Sequence, residues 1–469
     1  MKNFPSFVTF VTGLILALSS TAINSRQGVA TVSEERNVTV NNVTLSSATK
    51  ANPPALGERI QNLNPVDTVN TIENSWESDY ETYFKADLSR SSLKAQQISA
   101  TLGRLASQTG KRTALIYAVP TPKKLELVLV LPQRAPIRKS VPAAARENLV
   151  NTAKQLVLEV TDITKIDTTS YLPPARKLYQ WIVGPLETEL KNNRIDTLIF
   201  CMGPTLRSLP LASLHDGQKF LVEKYSIGLI PAFNMTDLNP RSLKNSPVLA
   251  MGASQFKELP PLIAVPVELA TIVPNVSRQH KHFLNQEFTI NNLRSQRTTQ
   301  PFQIVHLATH AQFNSGAPAN SFIQFWDKRL TLDQMRQLQW SNPQVDLLVL
   351  SACRTAIGNE DAEMGFAGLA IQSGTKSALA SLWNVSDVGT LALMSEFYRY
   401  LKTAPTRSEA LRQAQAAMLR GQVRLEKGKL LGPNLGAGVN LPPSLVALGN
   451  RNFKHPFFWS GFTMIGNAW

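Results

Sequence analysis

Cysteine is nearly absent from this chain: two in 469 residues, Cys201 and Cys353. Two thiols cannot build a disulfide framework, so packing must hold the core. Acidic residues are also scarce, 33 Asp and Glu against 48 Lys and Arg, which leaves a net charge of +15 and an isoelectric point near 9.8. That imbalance suits an acidic protein, or weak association with an anionic membrane surface. Nucleic acid would also suit it, but no run of interleaved Arg and aromatic residues is present, so none is expected as a partner. No self-similarity with a period of about thirty residues exists, which excludes a helical-repeat array. Past Ser25 no uncharged run is long enough to span a bilayer, so the body is expected to be soluble or surface-attached.

The one long uncharged stretch is at the start. Lys2 is followed by Asn3 to Ser25, with an apolar centre from Phe7 to Leu18 that is short for a membrane span. Ser20-Thr21-Ala22 supplies small residues at a cleavage position, so residues 1–22 read as a signal peptide. The alternative is an uncleaved N-terminal anchor. The expected location is therefore periplasmic or extracellular, or N-terminally membrane-anchored. Residues 23–69, rich in Asn, Thr and Ser with Pro53-Pro54, read as a flexible linker. Their two Asn-Val-Thr triplets, at Asn37 and Asn42, match a glycosylation acceptor that arises often by chance.

Residues 70–170 read as a helical and hairpin region packed on the main domain. Trp76 to Leu105 has helical spacing, Thr113–Val119 and Leu125–Leu131 read as strands, and Ala143–Leu158 as a helix. From Tyr171 onward strands and helices alternate. Phe220–Tyr225 reads as a short strand, and residues 428–452 as a Gly/Pro-rich loop. Alternation of this kind predicts an α/β layered fold with a mainly parallel central sheet flanked by helices.

Within that domain Leu347 to Leu350 is a continuous apolar run ending at Ser351-Ala352-Cys353, the pattern of a buried strand with a cysteine at its carboxyl end. About forty residues earlier, Phe302 to Ala308 runs in the same way into Thr309-His310-Ala311. An imidazole beside a thiol can deprotonate it and so make a nucleophile. His306 competes with His310. Residues four apart share a face of a strand, so spacing does not choose between them. His306 lies inside the apolar run and reads as a hydrogen-bonded core histidine; His310 lies past it. His280 and His282 flank Lys281 without a third ligand, so no metal is expected, and no cofactor.

The segments HLATHAQF (His306–Phe313), LLVLSACRTAIG (Leu347–Gly358), FAGLAIQSGTKSALASLWNVSD (Phe366–Asp387), ALRQAQ (Ala410–Gln415) and HPFFWSGFTMIG (His455–Gly466) resemble the successive motifs of a CHAT domain. LRSLPLASLHDGQKFLVEKYSIGLIPA (Leu206–Ala232) resembles the start of the same domain, and the whole match covers residues 171–469. CHAT domains are caspase-like modules common in cyanobacteria and other bacteria. The resemblance implies a caspase-like fold of the clan that holds caspases, metacaspases, gingipains and separase. It implies a catalytic dyad on His310 and Cys353, with the backbone N–H groups of Cys353 and Ala311 as oxyanion donors. Many relatives have Gly where this chain has Ala311; a loop needing positive φ there would be strained by the Cβ.

The resemblance also bears on what is cut. Arg-specific members use an acidic residue in the pocket for the side chain before the scissile bond. Metacaspases place Asp two before the Cys; the matching residue here is Ser351, which the resemblance puts at the pocket as a substrate-binding position without that acid. The LWNVSD stretch resembles separase, which puts the pocket acid on Asp387. A plainer reading of Asp387 is a helix N-cap, since a helix follows. Glu360, Asp361 and Glu363 read as solvated loop charge or as a site for an activating cation. The expectation is a caspase-like cysteine endopeptidase cleaving proteins or peptides after a basic residue, with activity conditional on an activating protein partner. The alternative is a catalytically silent CHAT scaffold or regulatory module.

Overall fold

The computed structural model describes residues 55–469 apart from 277–278 and 356–358, with the backbone alone described for 273–276 and 352–354. The leader, most of the expected linker and both Asn-Val-Thr triplets lie outside the described residues.

Structure is present well before the expected end of the linker. Helix α1 (Leu56–Arg59) is followed by α2 (Pro65–Phe84), capped by the Asn64 side chain, which accepts from the Asp67 amide at 2.9 Å, with Pro65 at the first position. Val69, Ile72, Trp76, Tyr80 and Phe84 form one buried stripe of α2. Only one residue in three or four of that segment is apolar, so its composition resembles a linker although its spacing is helical. A left-handed turn at Lys85 separates α2 from α3 (Ala95–Thr109), so the helical pattern expected from Trp76 to Leu105 is two helices.

An antiparallel meander follows: β1 (Thr113–Pro120), β2 (Leu125–Val130) and β3 (Ile137–Val141). Helices α4 (Arg146–Thr161), α5 (Leu172–Ile182) and α6 (Glu187–Asn192) lead to β4 (Thr197–Met202), parallel to β1. The strand expected at Phe220–Tyr225 is a helical turn, α7 (Leu221–Lys224), because Glu223 turns back to accept the Phe220 amide at 2.9 Å. Then come β5 (Ser226–Ile230), β6 (Val248–Gly252), α8 (Val265–Val276), β7 (His280–Leu284), α9 (Ile290–Thr299), β8 (Ile304–Phe313), β9 (Phe322–Gln324), β10 (Arg329–Thr331) and β11 (Leu347–Thr355). The carboxyl-terminal part holds α10 (Glu360–Ala367), α11 (Leu369–Ser373), β12 (Ser377–Ser381), α12 (Asp387–Leu401) and α13 (Arg407–Leu419). The expected loop at 428–452 lies within a small antiparallel sheet made of β13 (Arg424–Glu426), β14 (Lys429–Leu431), β15 (Val439–Asn440), the short α14 (Pro443–Val446) and β16 (Arg451–Asn452). Strands of two or three residues are too short for alternation to show. The main sheet is completed by β17 (Phe462–Gly466).

The main sheet runs β10-β9-β8-β11-β12-β17-β5-β4-β1-β2-β3, with β6 beside β8 and β7 beside β6. Its pairings β7/β6, β6/β8, β8/β11 and β11/β12 are parallel, while β9 joins β8 antiparallel. The expected α/β layered architecture is therefore present, with a mixed sheet, parallel at its centre. Along one edge β8 changes partner: β6 accompanies it from Ile304 to Ala308, and β9 takes over at Ala311 and Gln312. The chain leaves β6 at Gly252, where a Cβ would stand 2.5 Å from the Ala308 carbonyl oxygen. That departure opens a crevice at the carboxyl ends of the strands, where open α/β sheets bind ligands.

Candidate active site

Between β8 and β11 the register slips by one residue. Leu307 lies opposite Leu350, and His310 opposite Ala352, so β8 uses three steps where β11 uses two. The extra residue is a bulge, and it cancels the even spacing that puts His306 and His310 on one face of a regular strand. The two histidines differ accordingly. His306 is fully buried between Glu268 of α8, whose Oε1 stands 2.9 Å from Nε2, and Tyr398 of α12, whose hydroxyl stands 3.0 Å from Nδ1. It is the core histidine its position in the apolar run implies.

His310 reaches out of the sheet to the segment that follows β6. Its Nε2 is 2.9 Å from the Pro260 carbonyl oxygen, and the Phe256 ring meets it edge-on at 4.8 Å. A carbonyl can only accept, so Nε2 carries the proton and Nδ1 keeps its lone pair. Among the described residues Nδ1 has no hydrogen-bond partner. Burial lowers the His310 pKa, and the Pro260 carbonyl opposes that in part. The outcome is a neutral imidazole with an available basic nitrogen.

Cys353 lies on β11 directly opposite Ala311, one residue along from the His310–Ala352 pair. Adjacent strands stand about 4.8 Å apart, so the two expected dyad positions are neighbours in the backbone; positions one step apart on a regular ladder face opposite sides of the sheet, so the register alone does not turn Cys353 toward His310. The Cys353 side chain is outside the described residues. Ala311 has no positive φ, so its Cβ is accommodated without left-handed strain. Ser351 is buried within β11 at 1% exposure and is not a wall of the cavity that receives His310.

That cavity, of about 530 Å³, is lined by His310, Pro260, Leu262, Ser386, Asp387 and Phe457, among others. Its size falls in the range of about 300–1,000 Å³ usual for ligand sites. Asp387 is not the N-cap of α12. Ser386 takes that place, its hydroxyl accepting from the Gly389 amide at 3.4 Å. Asp387 instead accepts from the Ala264 amide at 2.6 Å through Oδ2. Burial pushes its carboxyl up to about 7; the Ala264 N–H works against that, and the charge of Glu268 adds to it.

The other acids near the cysteine are engaged elsewhere. Glu360 pairs with Arg146 at 2.6 Å, Asp361 accepts the Gly316 amide at 2.9 Å, and the buried Glu363 accepts from Ser208 at 2.6 Å. No group of three or more His, Cys, Asp or Glu able to hold a metal occurs among the described residues. Cys201 is a buried thiol donating to the Pro231 carbonyl at 3.0 Å, and burial pushes its pKa well up. Its strand is four places from β11, on the order of 19 Å away at the usual strand spacing, so the two cysteines cannot pair. Pro260 and Ala264 act through backbone groups and carry no side-chain signature; the only sign of them in the sequence is the turn-forming Pro260-Pro261 pair.

The chain belongs to the CHAT domain family, whose model matches residues 172–467. No curated protein is matched by the sequence. Among solved structures, a chain of the Saccharomyces cerevisiae separase–securin complex is similar at 10% identity and a TM-score of 0.45, over 85% of this chain and 33% of that one. This chain thus spans about a third of that chain's length. The Arg-specific cysteine proteinase gingipain R is similar at 10% identity and a TM-score of 0.37, over 69% of this chain and 76% of that one. A complex of the pro- and mature domains of that Porphyromonas gingivalis enzyme gives the same score, over 77% of its chain.

Proposed function

We propose that this protein is a caspase-like cysteine endopeptidase that cleaves polypeptides after a basic residue. The observation carrying the reading is that His310 and Asp387 wall one cavity at the strand ends, beside the strand that carries Cys353. His310 Nδ1 accepts the Cys353 thiol proton, and the sulfur adds to the scissile carbonyl carbon. The backbone N–H groups of Cys353 and Ala311 stabilise the oxyanion. The imidazolium returns its proton to the leaving amine as the C–N bond breaks, leaving an acyl-thioester. Water, deprotonated by His310, then releases the acid and restores the thiol. Asp387 receives the basic side chain before the cut; Ser351, buried in its strand, takes no part. The leader-like segment puts this activity in the periplasm, outside the cell, or at the membrane by an N-terminal anchor.

A specific observation favours conditional activity. Asp387 is already held by the Ala264 amide, and burial leaves its carboxyl only partly ionised near neutrality. An activating protein partner that shifts the Pro260–Ala264 segment would release it. The test is mass-spectrometric labelling of the full chain by an arginyl electrophile, with Cys353→Ala as control, followed by turnover of peptidyl-Arg amides. Labelling confined to Cys353 supports the peptidase. A chain that is neither labelled nor active, with or without candidate partners and calcium, is the silent scaffold instead.

A further inference from the structure

Five large apolar side chains stand exposed among the described residues: Leu158, Ile163, Ile263, Val446 and Leu448. They are scattered in sequence, and one of them stands at the site. Ile163 is itself a wall of the cavity that holds His310 and Asp387, yet it is 66% exposed. Ile263 follows the lining residue Leu262. A second cavity, of about 510 Å³, adjoins the first and shares Ile166, Arg451 and Phe458 with it. Val446 and Leu448 are four and two residues before the Asn450–Asn452 wall of that second cavity. Leu158, 68% exposed, is in the last turn of α4, five residues before Ile163. Scattered single hydrophobics need no explanation, but Ile163 shares its cavity wall with Ile166, Pro261, Leu262, Phe457 and Phe458, an apolar lining of the kind that marks a contact surface.

The part of this rim that carries Ile163 is built to stay in place. After α4, Asp162 Oδ1 accepts from the Thr164 amide at 2.9 Å and from the Thr164 hydroxyl at 2.6 Å, and Lys165 pairs with Glu159 at 2.7 Å. These bonds hold the turn in which Ile163 projects to solvent instead of folding inward. Residues 158–166 also lie outside the family match, which begins at residue 172. The region before the family domain therefore supplies a wall of the cleft.

We propose that the Ile163 turn and the end of α4 form an apolar docking rim for the substrate polypeptide, selecting aliphatic residues beside the basic residue that enters toward Asp387. The occupant is a peptide of that chemistry, because the cavity wall carries the Asp387 carboxylate, with Arg451 its one full cation among the described residues, and aliphatic carbon at its mouth. The inference rests on the proposed peptidase reading, and the experiment separates the two.

The full chain carrying Cys353→Ala is titrated by fluorescence anisotropy with three labelled peptides. One has Arg flanked by Leu and Val, one has Arg flanked by Ser and Gln, and one has norleucine flanked by Leu and Val. The first should bind about tenfold more tightly than the second, about 1.4 kcal/mol. Adding Leu158→Ser and Ile163→Ser should reduce that ratio to about twofold or less, the two side chains being exposed and their loss harmless to folding. Equal affinity for the first two peptides, or a ratio that survives the double variant, overturns the rim. Absence of binding by all three does the same. Equal binding of the Arg and norleucine peptides, with the aliphatic preference intact, would remove the basic-residue reading and leave the rim standing. Dimerisation in sedimentation that Ile163→Ser abolishes would assign the surface to a second copy of this chain and overturn the substrate assignment.

Discussion

His310 and Asp387 are fastened to opposite ends of one short segment: the imidazole donates to the Pro260 carbonyl, and the carboxylate accepts from the Ala264 amide. A shift of Pro260–Ala264 therefore moves the proposed base and the proposed specificity residue together. Helix α8 begins at Val265, directly after this segment, and its Glu268 is held against the buried His306 and, through it, Tyr398.

Glu268→Ala should accordingly disturb the site from inside the core. It leaves His306 Nε2 buried without its partner, a loss of about 1–3 kcal/mol of stability. Because the start of α8 loosens, kcat/KM should fall as well, by about tenfold or more. Glu268→Gln, which keeps an acceptor for Nε2, should recover most of both. Chemical denaturation and steady-state kinetics on the three proteins check this. A destabilised Ala variant with unchanged kcat/KM would mean that α8 does not govern the site.

Asp387 gives a pH dependence with a definite sign. With its carboxyl near 7, Asp387 is mostly neutral at pH 6 and mostly ionised at pH 8, while Arg451 in the same cavity keeps its charge throughout. KM for an Arg substrate should therefore fall as pH rises across that interval. Asp387→Asn should flatten the profile and reduce kcat/KM for Arg substrates by about a hundredfold, some 3 kcal/mol for a buried charge partner removed. Initial rates from pH 5.5 to 8.5 decide it, and a wild-type KM flat across the range would refute it.

The same carboxyl affects stability. A folded pKa raised above the unfolded one favours folding at low pH, and that advantage is lost as pH rises through about 7. A rise from 3.8 to about 7 corresponds to at most about 4 kcal/mol. Asp387→Asn should match the wild type in Tm at pH 4 and exceed it by a few degrees at pH 8. Calorimetry at the two pH values reads this directly.

His310→Ala should lower kcat by roughly 10²–10⁴, the usual contribution of a positioned base. Tautomer-sensitive nitrogen NMR of labelled wild-type protein should find the His310 proton on Nε2. A proton on Nδ1 would break the proposed mechanism, since the basic nitrogen would then face Pro260.

Cys201→Ser should leave peptidase activity intact and alter stability by about 1–2 kcal/mol, because a buried thiol acts chiefly as a small hydrophobe. In the native protein Cys201 should resist alkylation and become reactive only in denaturant. Rapid native labelling of Cys201 would contradict its burial.

Local pattern made most of the main domain legible. The β8 and β11 segments are continuous apolar runs because both are covered on two faces, and such runs are visible without coordinates. Elements without an interior are not. The small sheet of β13 to β16 has strands of two or three residues, and α7 is set by one returning glutamate. The stripe that begins α2 is hidden in the sequence because its polar faces dominate the composition of residues 55–69.

By itself the sequence determined the candidate chemistry: a thiol and an imidazole at the ends of two apolar runs, and an acid at the start of a later helix. It could not decide between His306 and His310 by spacing, nor between a helix cap and a pocket wall for Asp387. The tertiary structure places His306 in the core and both His310 and Asp387 at the cavity, through a bulge that costs β8 one extra residue, through Ser386 taking the cap, and through two backbone groups of Pro260 and Ala264. The physical reason is that register and backbone hydrogen bonding depend on which segments meet in space, and every residue type except proline offers the same N–H and C=O.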